Sequence, residues 1–316
     1  MQEQIDKAVD VLKSGGLIGL PTETVYGLAA AINIPQAVKK IFLLKERPFF
    51  DPLIVHVTGI EQAKEVVADW PQLAQVLAEK FWPGPLTIVL KKQLHIDSLI
   101  TADLETVGVR CPAHPLAQQV ISQAGVPLAA PSANKFGKTS PTAAEHVRAE
   151  FTSESVFVLD GGPCQIGVES TVLGINATEV LIYRPGMVSA EQIAQAAKGA
   201  GIEVKVSYLS SMASPGNFKE HYMPRKPLVI KKGQGQLTTG QRENISTRLG
   251  VRPEHFVELK LPQEAALAAR VLYAEFRRLA DQEGDYILYS VGDTLLDEQF
   301  AAIWDRLNRA ASLMLF

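Results

Sequence analysis

The stretch from Val126 to Thr142, VPLAAPSANKFGKTSPT, sets out groups able to receive an anion. An apolar run from Val126 to Ala130 stops at Pro131, a small polar loop follows, and Thr142 opens a helix-patterned TAAEHVRAEF. Strand, loop and helix in that order turn backbone N–H groups and a helix N-terminus toward a phosphate. Gly137, Lys138 and Thr139 reproduce the second half of a Walker A loop, but the first glycine of G-x-x-x-x-G-K-[ST] would have to stand at Ser132. Nucleotide binding is therefore expected here without a P-loop fold. Ser132 and Asn134 can donate to phosphate or ribose, and Ser140 can join them; a solvated loop rich in Ser, Asn and Gly is the plainer alternative.

Other residues carry matching chemistry. Lys45 and Arg47 in KERPFFDP are natural partners of a polyphosphate, because arginine forks two oxygens and lysine acts as a point charge. Cations closing a helix also complement its dipole, which explains the same pair without a ligand. Arg110 ends the run VGVRCP, where it can clamp a carboxylate or make a surface ion pair. His56 sits inside LIVHV, facing either a cleft or the core. Ser170, Thr171 and Arg184 stand in glycine-flanked segments. Glu23 and Glu169 suit acid, base or metal-adjacent roles as well as caps and turns. The order of Ser, His and Asp gives no persuasive triad, and no G-x-S-x-G elbow occurs. GQGQLTTG (residues 233–240) departs from G-x-G-x-x-G, so no dinucleotide site is read there.

The elements that position these residues alternate. A helix with Ile5, Ala8, Val9 and Leu12 at helical spacing leads into a strand from Leu17 to Leu20, followed by the polar loop PTETVYGL, which carries Thr24. Pro35 to Leu44 reads as a helix, Leu53 to Val57 as a strand, Glu61 to Ala68 and Gln72 to Phe81 as helices. LTIVLKK, VGVRCP, VFVLDGG, STVLGI and EVLIYRPG read as strands, HPLAQQVISQAG and SAEQIAQAAKGAG as helices. Polar residues at several strand ends suggest a cleft along the carboxyl edge of an α/β sheet. Beyond Val206 the sequence becomes rich in Ser, Pro and Gly, then resumes with strands PLVIKKG, HFVELKL and DYILYSV and helices Gln263 to Leu279 and Ala301 to Ala311. The expected organisation is a first domain over 1–205, a linker or lid over 206–226 and a smaller α/β domain over 227–316.

The totals limit what such a chain can be. With 316 residues, 47% of them hydrophobic, and no apolar run approaching the ~20 residues of a membrane span, a soluble cytoplasmic protein with a substantial core is expected. Two distant cysteines, Cys111 and Cys164, make neither a disulfide framework nor a zinc cluster. A net charge of −3 argues against coating a nucleic-acid backbone as the main task. The linker, however, carries three cations and one anion, which suits a cover over an anion.

In this order, PTETVYGL, KERP, PLIVHV, FWPGPLT, TVGVRCPAHP, PLAAPSAN, DGG, GVESTV and LIYRPG resemble the YrdC/Sua5 family of threonylcarbamoyl-AMP synthases, and the HYMP linker with its trailing domain resembles the two-domain Sua5 form. The resemblance implies an open, twisted mixed sheet with a positively charged concave face, followed by a Rossmann-like α/β domain. It implies a nucleotidyltransferase that makes threonylcarbamoyl-AMP and pyrophosphate from L-threonine, bicarbonate or CO2 and ATP, with Mg2+ sharing the phosphate charge. The adenylate would feed a tRNA threonylcarbamoyl-transferase complex acting at adenosine 37, so tRNA need not bind this chain directly. By position, Thr24, His56, Arg110, the backbone at Ala130 and Ser170 would hold threonine. Lys45, Arg47, Asp51, Thr106, Ser132, Asn134, Ser140 and Arg184 would surround ATP, Lys45 and Arg47 being the catalytic pair and Tyr222 a lid residue. The sequence gives no metal ligands and no obvious proton-transfer group, so catalysis by positioning and charge stabilisation is expected. Asp51 stands where the family often has Asn or Lys, and Phe218 replaces a linker tyrosine. Carbamoyl transfer to another acceptor and an RNA-binding module are the alternative functions.

Overall fold

The computed structural model describes residues 1–152, 154–176, 179–209, 221–292 and 297–315. The chain divides into two compact units, Met1–Phe136 with Pro141–Asn217, and Gly137–Ser140 with Phe218–Phe316.

The first unit contains strands β1 (Ile18–Leu20), β2 (Gly27–Ala31), β3 (Ile54–His56), β4 (Leu86–Lys91), β5 (Thr106–Arg110), β6 (Leu128–Ala129), β7 (Phe157–Val158), β8 (Thr171–Ile175), β9 (Glu179–Arg184) and β10 (Lys205–Tyr208). Its helices are α1 (Gln2–Lys13), α2 (Pro35–Lys45), α3 (Ile60–Val66), α4 (Gln72–Phe81), α5 (Ser98–Thr101), α6 (Pro115–Ala124), α7 (Ala144–Glu150) and α8 (Ala190–Gly199). One mixed sheet runs in the order β10-β9-β8-β4-β5-β3-β6-β2-β1-β7. β3 and β5 are parallel, whereas β6 runs against both β3 and β2.

Alternation along the strands gives this sheet two different faces. Val55, Ile88, Leu90, Val107, Val109, Leu173 and Ile182 point to one, where apolar stripes of α2, α3, α4 and α8 cover them in a continuous core. On the other face, Ile18, Leu20, Ala29, Ala31, Leu128 and Ala130 pack under α1 and α6. That second cover stops short of the middle of the sheet. Ile54, Val89, Gly108, Val172 and Leu181, which point the same way, are only half-buried. A shallow uncovered floor is left over β3, β5, β4, β8 and β9. Gly108 lowers it further, since a Cβ there would sit 3.2 Å from Thr87 Cγ2.

The second unit is a parallel sheet of β11 (Leu228–Lys232), β12 (Phe256–Leu259), β13 (Tyr286–Val291) and β14 (Ala311–Leu315), ordered β12-β13-β11-β14. Its helices are α9 (Thr239–Leu249), α10 (Ala265–Ala280) and α11 (Ala301–Ala310).

The sequence reading passed over β2, α9 and β14, and ended the first domain at 205, whereas β10 continues to Tyr208. Much of the expected linker, Phe218 included, lies outside the described residues. No helix among the described residues is long and apolar enough to cross a membrane.

Candidate active site

Arg110 closes β5 and lies beside His56 in the parallel register of β3 and β5, so both side chains project onto the uncovered floor. Both are buried, as is Glu23, which the loop after β1 brings to them across 87 residues of sequence. Arg110 Nη2 donates to Glu23 Oε1 at 2.6 Å and Nε donates to the Gly84 carbonyl at 3.2 Å. The other Glu23 oxygen accepts from the Ala113 N–H at 3.0 Å. Two of the guanidinium's three nitrogens are thus fixed by the protein, which orients the fork toward a carboxylate ligand before one arrives. Glu23 is that orienting partner, a role the sequence reading did not give it.

Ser170 borders the same floor. Its Oγ shares a 2.8 Å hydrogen bond with Thr87 Oγ1 and accepts from Arg184 Nη2 at 3.2 Å, while Arg184 Nε donates to the Ser170 carbonyl. Thr87 was missed; the one signal was a hydroxyl residue in the apolar run LTIVL, on the face opposite Leu86 and Ile88. Thr24 lies fully buried in the loop after β1, its Oγ1 2.9 Å from Thr22 Oγ1. Ala130 fixes its strand end by donating its N–H to the Ile54 carbonyl at 3.0 Å.

A second cluster joins the end of α2 to the loop after β6. Lys45 is 1% exposed, and its Nζ donates to the carbonyls of Ser132, at 2.6 Å, and Asn134. Burial, followed by the Arg47 charge, pushes Lys45 well below the usual ammonium range. Lys45 therefore acts in this structure as a clamp on the Ser132–Asn134 loop, where the sequence suggested a cation open to phosphate. Arg47, just after α2, pairs with Asp51 at 2.8 Å and donates to the Asp51 and Pro52 carbonyls. Burial raises the Asp51 carboxyl, while Arg47, Lys45 and Arg184 oppose that shift. The acid expected to sit awkwardly near ATP is thus enclosed by cations, and it holds Arg47 in place.

Three sequence-predicted residues are placed differently. Thr106 is exposed at the far end of β5, roughly 13 Å along the strand from Arg110. Ser140 belongs to the second unit and is fully buried. Tyr222, expected as a lid, is 4% exposed within the second unit, its ring stacked at 5.8 Å on Tyr273 and the Arg306 guanidinium 5.4 Å from its centroid.

His56 has a measurable signature. Burial first, and the Arg110 charge second, push its pKa from 6.5 down to about 3, so the ring is neutral at physiological pH, and its Nδ1 has no hydrogen-bond partner among the described residues. That buried nitrogen is available to a substrate amine or hydroxyl. In the unfolded chain the ring protonates near 6.5, so its stability contribution is complete above that pH and is lost as pH falls toward 3. Relative to His56→Gln, wild-type stability is expected to fall by about 1.4 kcal/mol per pH unit across that window. Parallel denaturation curves for the two proteins would refute the neutral buried ring.

In this mixed α/β unit an uncovered sheet face carries an oriented arginine and a neutral histidine, groups able to receive a small carboxylate, and a buried lysine clamps the loop after β6. The comparisons narrow this. A Sua5_yciO_yrdC family model, described as telomere recombination, matches residues 10–186, and a Sua5_C model, described as threonylcarbamoyl-AMP synthase C-terminal domain, matches residues 188–312. The chain belongs to the Sua5/YciO/YrdC family of enzymes. The threonylcarbamoyl-AMP synthase of Bacillus subtilis is 38% identical, with 98% of this chain and 93% of that protein covered. Its counterpart from Pyrococcus abyssi is 40% identical over 72% of this chain and 67% of that protein. The crystal structure of P. abyssi Sua5 complexed with L-threonine superposes with a TM-score of 0.84 at 32% identity, covering 99% of this chain and 96% of that one.

Proposed function

We propose that this chain is an L-threonylcarbamoyladenylate synthase, a nucleotidyltransferase whose substrates are L-threonine, bicarbonate or CO2, and ATP. The observation that carries the reading is Arg110, held by Glu23 beside His56 and Ser170 on an uncovered floor. Arg110 takes the threonine carboxylate, and the neutral His56, Ser170, Thr24 and the Ala130 backbone take its amine and hydroxyl. The threonine nitrogen adds to CO2 and loses a proton, giving a carbamate. A carbamate oxygen then attacks the α-phosphorus of ATP, and the bond to the β-phosphate oxygen breaks to release pyrophosphate. Arg47, Arg184, Ser132 and Asn134 stabilise the charge on the phosphates, with Lys45 fixing the loop that carries the last two.

Among the described residues no group of three or more His, Cys, Asp or Glu could hold a metal, and Asp51 is engaged by Arg47. In this reading Mg2+ comes with the ATP substrate, carried mainly by phosphate oxygens. Downstream, a cytoplasmic threonylcarbamoyl-transferase complex would consume the adenylate at adenosine 37 of tRNA.

Pyrophosphate release from Mg-ATP and bicarbonate, measured with each amino acid in turn, tests the proposal. Release that depends on threonine supports it; release indifferent to threonine contradicts it. Thr87→Val, which removes the hydroxyl bonded to Ser170 Oγ, is expected to raise the KM for threonine roughly tenfold, about the value of one hydrogen bond, and to leave the KM for ATP unchanged. Equal changes in both constants would show that Thr87 merely supports the sheet.

A further inference from the structure

The second unit contains a buried lysine that the reaction does not use. Lys231 is 3% exposed and makes no hydrogen bond or ion pair with any described residue. It stands on the central strand β11 one residue before its end, paired with Ser290 on β13 and Leu315 on β14. Its side chain leaves the sheet on the same side as Val229, Leu288, Leu313 and Leu315, which pack with Leu237 and with Ile245 of α9. The stem therefore runs under α9. In a parallel β-α unit the helix begins at the carboxyl edge of its strand, so the shortest way out of this apolar layer leads the ammonium to the first turn of α9.

That turn has donors to offer. The capping box of Thr238 and Gln241 uses the Gln241 and Thr238 N–H groups, whereas those of Thr239 and Gly240 have no acceptor among the described residues. A Cβ at Gly240 would meet nothing within 4 Å, so a ligand can come close to the backbone there. The topology agrees. β11 sends the chain to the α9 side, while α10 and α11 pack on each other and add nothing to the cluster under α9. The neighbouring strands β11 and β13 thus lead to opposite faces, which opens a crevice at their carboxyl ends. A lysine with a buried stem whose ammonium emerges toward the positive pole of a helix, with no anion to offset either among the described residues, is an unbalanced arrangement.

We infer that Lys231 and the first turn of α9 form a binding site for a phosphoryl group, supplied by free phosphate, by pyrophosphate or by a nucleoside monophosphate. Three donors, the ammonium and the Thr239 and Gly240 N–H groups, match the oxygens of one tetrahedral anion. The loop's departure from the dinucleotide fingerprint fits a site for one phosphoryl group.

The test is titration of the 15N-labelled full chain with inorganic phosphate, pyrophosphate and AMP separately, following the Thr239 and Gly240 amide resonances. Saturable shifts with at least one of them are expected, and the rank among the three identifies the source. Lys231→Met keeps the apolar stem and should weaken binding by about tenfold or more. Gly240→Asp places a carboxylate at the free N–H groups and should abolish the response while leaving the thermal midpoint equal or higher. Ser132→Ala, altered in the first unit, should leave these shifts intact. No saturable shift with any of the three would overturn the site. So would equal affinity in wild type and Lys231→Met, which would mean an adventitious ion only.

Discussion

Arg110→Met is expected to abolish threonine-dependent pyrophosphate release and to destabilise the first unit by about 3–5 kcal/mol, the usual cost of stranding one member of a buried ion pair. The stranded group is Glu23, 4% exposed and left, among the described residues, with the Ala113 N–H. Because a dead enzyme could simply be an unfolded one, the double variant Glu23→Gln, Arg110→Met separates the effects. Neutralising Glu23 removes the uncompensated charge, so much of the stability should return while activity stays absent. Glu23→Gln alone keeps the guanidinium but loosens its orientation, and should raise the KM for threonine more than it lowers kcat. If the double variant regains activity along with stability, Arg110 is structural and threonine is held elsewhere.

The second large effect is expected at Lys45. Lys45→Met preserves the stem but removes the donor from two carbonyls, those of Ser132 and Asn134, each costing about 1–3 kcal/mol when left unpaired in a buried place. The loop that offers these residues to the nucleotide should then lose its fixed position, and kcat/KM for ATP should fall about a hundredfold or more, with threonine affinity little changed. Lys45→Arg should not restore function, because at 1% exposure there is no room for a planar guanidinium. Calorimetric titration with a non-hydrolysable ATP analogue and with threonine would resolve the two affinities. Equal losses in both would argue for general collapse of the unit.

The polar residues of the site were legible in the sequence because each interrupts or follows an apolar run: His56 within LIVHV and Arg110 after TVGV on the floor, Ser132 after PLAAP in the clamped loop. Their gathering by a sheet face was not legible. Strand ends alone pointed to a cleft along the carboxyl edge of the sheet, whereas the floor is a face of it, left open because α1 and α6 cover only part of one side. Partners distant in sequence were invisible for the same reason. Glu23 finds Arg110 across 87 residues and Thr87 finds Ser170 across 83. Of the missed elements, β2 reads GLAAA, with no β-branched residue to mark it; α9 buries only Ile245; and β14 follows α11 without a turn. Some motif residues acquire reasons only in three dimensions. Tyr26 of TVYGL accepts from the Gly161 N–H and donates to the Gly162 carbonyl, tying that segment to DGG, and a Cβ at Gly186 of RPG would lie 2.2 Å from the Thr171 nitrogen.

The central claim is that Arg110 holds the amino-acid carboxylate while Arg47 and the Ser132–Asn134 loop hold the triphosphate above the same sheet face. A crystal soaked with L-threonine and a non-hydrolysable ATP analogue tests it most directly. The account predicts the threonine carboxylate within hydrogen-bond distance of the Arg110 guanidinium, its amine toward His56 Nδ1, and the α-phosphate on the amine side. Threonine seated away from Arg110, or phosphates on a surface that lacks Arg47 and Ser132, would contradict it.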